Sequence, residues 1–205
     1  MNPREQIVWA VRELFNKGLI GLYEGNISVR AGENSFLISP MGVPKNLIEP
    51  YMVVEVFFDG SWRCVGGCRP PLEYILHLNI YKSNISVDAI VHSLGPYTLA
   101  LVKAFKEKII DIIHEEVPLL KEYAKGGVKF IKEVKPDDPN YINIITDSIS
   151  SIDQILILGE YGVIAVSDDI FRVVNLVESL EKGAKIVTLS KLISSLTLQQ
   201  PQSSP

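Results

Sequence analysis

The sequence predicts a single α/β domain of layered type. Three observations carry that reading: an amphipathic helical period at the N-terminus, a run of short β-type stretches broken by turn residues, and a long apolar-striped helix near the C-terminus. With 205 residues and 47% hydrophobic content, the chain can bury one sizeable core and falls short of two comfortable domains. The expected division is a folded domain over residues 1–193 and a disordered tail over 194–205, where TLQQPQSSP is polar and Pro-containing.

Each element has its own warrant. Ile7, Ala10, Val11 and Leu14 recur at helical spacing, with Pro3 suited to a first turn and Gly18 to a stop. Asn26 to Arg30, Ser35 to Ser39 and Val53 to Phe58 read as strands of antiparallel hairpins, punctuated by Gly, Asn, Pro and Asp. After Pro70-Pro71, the positions Leu72, Ile75, Leu76 and Asn79 mark a helix with Glu73 in its first turn. A buried strand from Asp88 to His92 runs through Gly95-Pro96 into a helix from Tyr97 to Phe105, a junction of the kind where α/β proteins place ligands. From Lys106 to Ser151, KEYAKGG and KPDDPNY interrupt any period, and loops with short elements are expected. Ile155 to Leu158 and Val163 to Val166 flank GEYG as a strand pair. Ser167 or Asp168 then caps a helix from Asp169 to about Ile193.

Composition narrows the function. A net charge of -4 with scattered lysines offers no basic surface for phosphates, so no nucleic-acid partner is expected. No apolar run approaches the ~20 residues of a membrane span, and Arg4 and Glu5 stand where a secretory signal turns hydrophobic; no membrane partner and a cytoplasmic location are the expectations. Cys64 and Cys68, in the turn WRCVGGCRPP, lack the second pair of a zinc ribbon and the spacing of a thioredoxin-like motif. They read as turn thiols able to close a small disulfide under oxidising conditions. Arg30 and Lys45, charges beside turns, are expected to point into water.

Several linked motifs occur in one order: GNISVR at 25–30, ISPMGVPKNL at 38–47, PPLEYILHLNIY at 70–81, AIVHSLGPYTLAL at 89–101, EYGVIAVSDDI at 160–170 and ESLEKGAKI at 178–186. Together they make the chain resemble the class II aldolase/adducin family, of the fuculose-phosphate aldolase type, from Arg4 to Lys191. The resemblance implies a three-layer α/β/α domain with a mostly antiparallel central sheet. It also implies a small-molecule substrate and a homo-oligomer, with a tetramer the favoured state.

In that family three histidines hold a divalent ion, usually zinc, that polarises a carbonyl while a carbon–carbon bond breaks or a related reaction proceeds. Carried onto this sequence, His92 is the surviving metal residue. The second ligand position holds Leu94 and the third holds Tyr161, a phenol that must lose a proton before it binds metal well. Compensating donors would be His114, with Glu115 and Glu116 beside it, or Glu160. Glu73 falls at the catalytic acid/base position, one turn before His77, whose implied role is packing and orientation. Asn26, Ser39 and Gly42 remain as substrate-binding positions, while Pro71, Leu72 and Met41 replace hydroxyl-bearing phosphate contacts.

Two functions follow. One is a divergent lyase acting on a small sugar or sugar-phosphate carbonyl compound, with zinc or another divalent ion if the site is rebuilt. The other is a catalytically silent, metal-free binding or scaffold protein of the adducin head-domain kind, with no cofactor.

Overall fold

Asn2 sets the first element. Its side chain accepts from the Glu5 amide while the Glu5 carboxylate accepts from the Asn2 amide, both at 3.0 Å, and helix α1 (Pro3–Asn16) follows. In the computed structural model, which describes residues 1–132 and 140–198, the chain continues through β1 (Asn26–Arg30), β2 (Ser35–Ile38), β3 (Val54–Phe57) and β4 (Trp62–Arg63). Helix α2 (Tyr74–Ser83), β5 (Ala89–Ser93), α3 (Pro96–Phe105), α4 (Ile109–Glu116) and α5 (Pro118–Tyr123) come next. Then follow β6 (Gly127–Phe130), α6 (Tyr141–Ser148), β7 (Gln154–Ile157), β8 (Val163–Ser167) and α7 (Ile170–Leu198).

The strands form one sheet in the order β4-β3-β2-β1-β5-β8-β7-β6, antiparallel throughout except for the β6–β7 pair. Alternation along the strands sorts side chains to two cores. Ile27, Val29, Ala89, Val91, Val163 and Ala165 pack with α1, α3, α4, α5 and α7 on one face. Ile90, Leu156, Ile164 and Val166 pack with α2 and α6 on the other. The result is the three-layer α/β/α arrangement with a mostly antiparallel sheet. No helix among the described residues is long and apolar enough to cross a membrane.

Several boundaries differ from the sequence expectation for physical reasons. Glu73 is the residue before α2 rather than part of its first turn. The cap of α7 is Asp169, whose Oδ1 accepts from the amides of Phe171 and Arg172 at 2.9 Å each. Ser167 is instead buried, donating to Asp153 at 2.6 Å, and Asp168 pairs with Arg172. Helix α7 runs to Leu198 rather than Ile193, while residues 199–205 of the expected tail and most of KPDDPNY lie outside the described residues. The two edge strands give no sequence signal, because β4 is two exposed residues and β6 is a four-residue strand with one buried side chain. Arg30 does not point into water: its guanidinium bonds Asp88 and the carbonyls of Tyr81, Asn84 and Val87.

The β5-to-α3 junction is tied to α7 by one buried carboxylate. Glu181 accepts from the Tyr97 amide at 2.7 Å, the Thr98 amide at 2.9 Å and the Thr98 hydroxyl at 2.7 Å, supplying the α3 N-terminus with partners its own sequence lacks. Glu181→Ala leaves two amides and a hydroxyl without their acceptor and is expected to cost about 2–4 kcal/mol; Glu181→Gln, which keeps one acceptor oxygen, is expected to cost about 1 kcal/mol. Denaturant unfolding with an unchanged slope checks both values.

Candidate functional site

The central strands end around a cavity of about 470 Å³, walled by the start of β1, the end of β5 and the turn before β8. Asn26 and His92 are directly opposed in the β1–β5 ladder, on the α2 side of the sheet, and both line the cavity. Two glycines let the walls meet. Gly25 has φ +75°, and a Cβ there would press on Ile20 and the His92 carbonyl; Gly162 has φ +94°, with the Ser93 carbonyl where a Cβ would stand.

His92 is 8% exposed. Its Nε2 lies 2.8 Å from the Tyr161 carbonyl oxygen, and because a carbonyl only accepts, Nε2 carries the proton. In the neutral ring, Nδ1 is then an acceptor. Among the described residues neither His92 Nδ1 nor Asn26 Oδ1 has a hydrogen-bond partner, although both are buried. Unmet acceptors of this kind cost about 1–3 kcal/mol each unless a donor arrives, and the hydroxyls of a polyhydroxy ligand are suitable donors. Two residues further along β1, and so on the same face, the Ser28 hydroxyl meets His77 Nδ1 at 2.7 Å and the Tyr81 hydroxyl at 2.8 Å. Burial holds the His77 imidazole neutral, its pKa lowered to about 3, with His92 adding to the effect. His77 thus has the packing role the sequence implied.

Glu73 enters from the residue before α2 and makes no capping bond there, which leaves its carboxylate to the cavity. Tyr141, at the start of α6, shares the wall; burial, reinforced by the nearby Glu73 and Tyr161, pushes its phenol up to about 12, so it is a neutral donor at ordinary pH. Leu94, Glu160 and Tyr161 also line the cavity, and Tyr161 is 40% exposed.

Lys45 departs most from the sequence expectation. It is 2% exposed and lines the cavity, because Pro44 and the turn Lys45–Leu47 fold beneath the 21–25 loop, where the Lys45 amide donates to the Leu22 carbonyl at 3.0 Å. Burial lowers its pKa from 10.5 to about 8, partly offset by Glu73. No hydropathy period could reveal this, since a lysine in a Pro-containing turn carries the same signal whether the turn lies on the surface or tucks under a loop.

The other expected positions are not brought together. Ser39 is fully buried and its hydroxyl accepts from the Ile27 amide at 3.2 Å, joining β2 to β1 behind the wall. Gly42 is exposed and off the wall, while its neighbours Pro40 and Met41 lie on it. His114 sits on α4, in the layer across the sheet, and does not reach the cavity. Cys64 and Cys68 are free and half-buried; Cys64 bonds the Met52 carbonyl at 3.3 Å. A second depression of about 320 Å³ between α5 and α7 is lined by Glu116 and by part of the 178–186 motif, including Glu178 and Lys182, but by none of Asn26, Glu73 or His92.

Residues 5–188 match the family described as Class II Aldolase and Adducin N-terminal domain. The chain belongs to this family. It is similar to an L-fuculose phosphate aldolase of Methanocaldococcus jannaschii, 26% identical over 93% of this chain and 98% of that protein. It is also similar to a 3-oxo-tetronate 4-phosphate decarboxylase of Cupriavidus necator, 28% identical over 89% of this chain and 82% of the relative. Among solved structures, Escherichia coli YgbL superimposes with a TM-score of 0.80 at 22% identity, covering 91% of this chain and 88% of that one. A sugar-phosphate aldolase from Thermotoga maritima gives 0.75 at 22% identity, covering 98% and 99%.

Class II aldolases generally use a divalent metal, and the donors present here do not fit one held by three histidines. His92 Nε2 is already committed to the Tyr161 carbonyl, Leu94 has no donor atom, and Tyr161 would have to ionise. Among the described residues no three His, Cys, Asp or Glu side chains are grouped to hold an ion.

The buried Lys45 makes stability depend on pH. The native state releases this proton near pH 8, whereas the unfolded chain keeps it to about 10.5, so below pH 8 a burial penalty acts on the folded protein and above 10.5 it is gone. Lys45→Met is therefore expected to stabilise by up to about 3 kcal/mol at pH 7, with the gain fading between pH 8 and 10.5. Urea midpoints measured across that range check the sign.

Proposed function

We propose that the protein is a divergent lyase acting on a small polyhydroxy carbonyl compound of the sugar or sugar-phosphate class. One observation carries the reading: Glu73, Asn26 and His92, which arrive from three separate segments, converge on a single cavity of about 470 Å³. Membership of a family whose similar relatives include an aldolase and a decarboxylase of sugar phosphates supports the same class of chemistry.

The roles follow from the groups. Glu73 moves the proton that must leave a substrate hydroxyl as a carbon–carbon bond breaks, then returns it to carbon. Asn26 Oδ1 and His92 Nδ1 accept from substrate hydroxyls, satisfying the two buried acceptors. Tyr141, another lining residue, donates from its neutral phenol. A homo-oligomer and a cytoplasmic setting are consistent with this reading and remain part of it.

The changed ligand positions Leu94 and Tyr161 favour a second reading, a binding protein without turnover. A panel of ketose 1-phosphates, their unphosphorylated counterparts and 3-oxo acid phosphates, assayed for aldehyde or carbon dioxide release, separates the two. Turnover that falls at least about 100-fold in Glu73→Gln, with KM nearly unchanged, is the expected result. Absence of release from every member by the wild-type protein would establish the binding role instead.

A further inference from the structure

A carbonyl lyase needs somewhere to place the electron pair that the breaking bond leaves behind, and in this chain the metal-ligand positions do not provide it. The cavity contains one other electrophile precursor. Lys45 lines it together with Glu73, is almost fully enclosed, and among the described residues its ammonium has no ion-pair or hydrogen-bond partner; Glu73 acts on it only through its field. A solvated surface lysine is protonated and unreactive, whereas an enclosed one beside a single carboxylate keeps a substantial neutral fraction. Burying a lysine without a bonded partner also carries a cost that a purely structural side chain at this position would avoid.

We propose that Lys45 is the covalent electron sink of the site, its amine condensing with the carbonyl of a small polyhydroxy ketone to form an imine. This deepens the lyase reading and rests on it. Neutral Nζ adds to the carbonyl carbon, Glu73 in its acid form protonates the resulting hydroxyl, and water leaves a protonated imine. The Glu73 carboxylate then takes the proton of the hydroxyl on the far carbon of the bond to be cleaved, the carbon β to the imine carbon. That bond breaks, an aldehyde departs, and its electron pair neutralises the imine as an enamine. Glu73 protonates the enamine carbon, and one water hydrolyses the imine, releasing the product ketone, the free amine and protonated Glu73. The depressed pKa near 8 agrees with the geometry, since it places the amine where both addition and dehydration proceed near neutral pH.

The test uses the full chain with dihydroxyacetone phosphate, and separately dihydroxyacetone, in the presence of cyanoborohydride at pH 8, followed by intact mass and peptide mapping. A single reduced adduct on the Lys45 peptide, formed about tenfold faster than at any other lysine, is expected. Lys45→Arg, which keeps the charge and cannot form an imine, is expected to lose the fast adduct, and mapping of the wild-type protein stands alone should that variant fold poorly. Adducts spread evenly over the exposed lysines, or none on Lys45, overturn the inference. The parallel turnover assay, run after chelator treatment, keeps the two ideas apart. Turnover without a Lys45 adduct removes the imine and leaves the lyase, whereas an adduct without cleavage supports the imine and removes the lyase.

Discussion

The Glu181 carboxylate governs the geometry of the site from a distance. By accepting from Tyr97 and Thr98 it anchors the first turn of α3 to α7, and α3 begins immediately after the segment His92-Ser93-Leu94-Gly95. The direction in which β5 delivers its last side chains is therefore fixed by a contact on the opposite face of the sheet. A backbone free to shift there would loosen the Nε2 bond to the Tyr161 carbonyl, and with it the protonation pattern of the His92 ring. The site is shaped as much by the α7 layer behind it as by the residues that face it.

Much of the fold was legible because it rests on local patterns. Asn26–Arg30 matches the structure in full, and α3 and β8 differ by a residue at an end, since strand alternation and a Pro-opened helix are written in adjacent residues. What was not legible is tertiary. The two-residue β4 is a strand only because β3 offers it a partner, and β6 gains order from its parallel pairing with β7, a relation between segments far apart in the chain.

The site divides in the same way. Glu73, Asn26 and His92 could be named from linked motifs, and they line one cavity. Ser39 carries the same motif signal yet spends its hydroxyl on the Ile27 amide, and Lys45, in the same 38–47 motif but with no role implied for it, lies inside. Arg30 shows the general difficulty. A guanidinium surrounded by three carbonyls and a carboxylate is a structural clamp, but its sequence neighbourhood is that of an exposed turn.

The β1–β5 pairing has one more consequence. Asn26 opposes His92 while Ile27 opposes Val91, and along β1 the polar Asn26 and Ser28 share one face while the aliphatic Ile27 and Val29 share the other. A slip of β1 by one residue would drive Asn26 and Ser28 into the helical layer of α1 and α7 and turn Ile27 and Val29 to the face that carries the ligand chamber. The chamber's framework is thus locked to the hydrophobic code of the sheet, and its chemistry can change only by exchanging side chains at fixed addresses. Leucine at 94 and tyrosine at 161 have that character: new occupants of an unaltered frame.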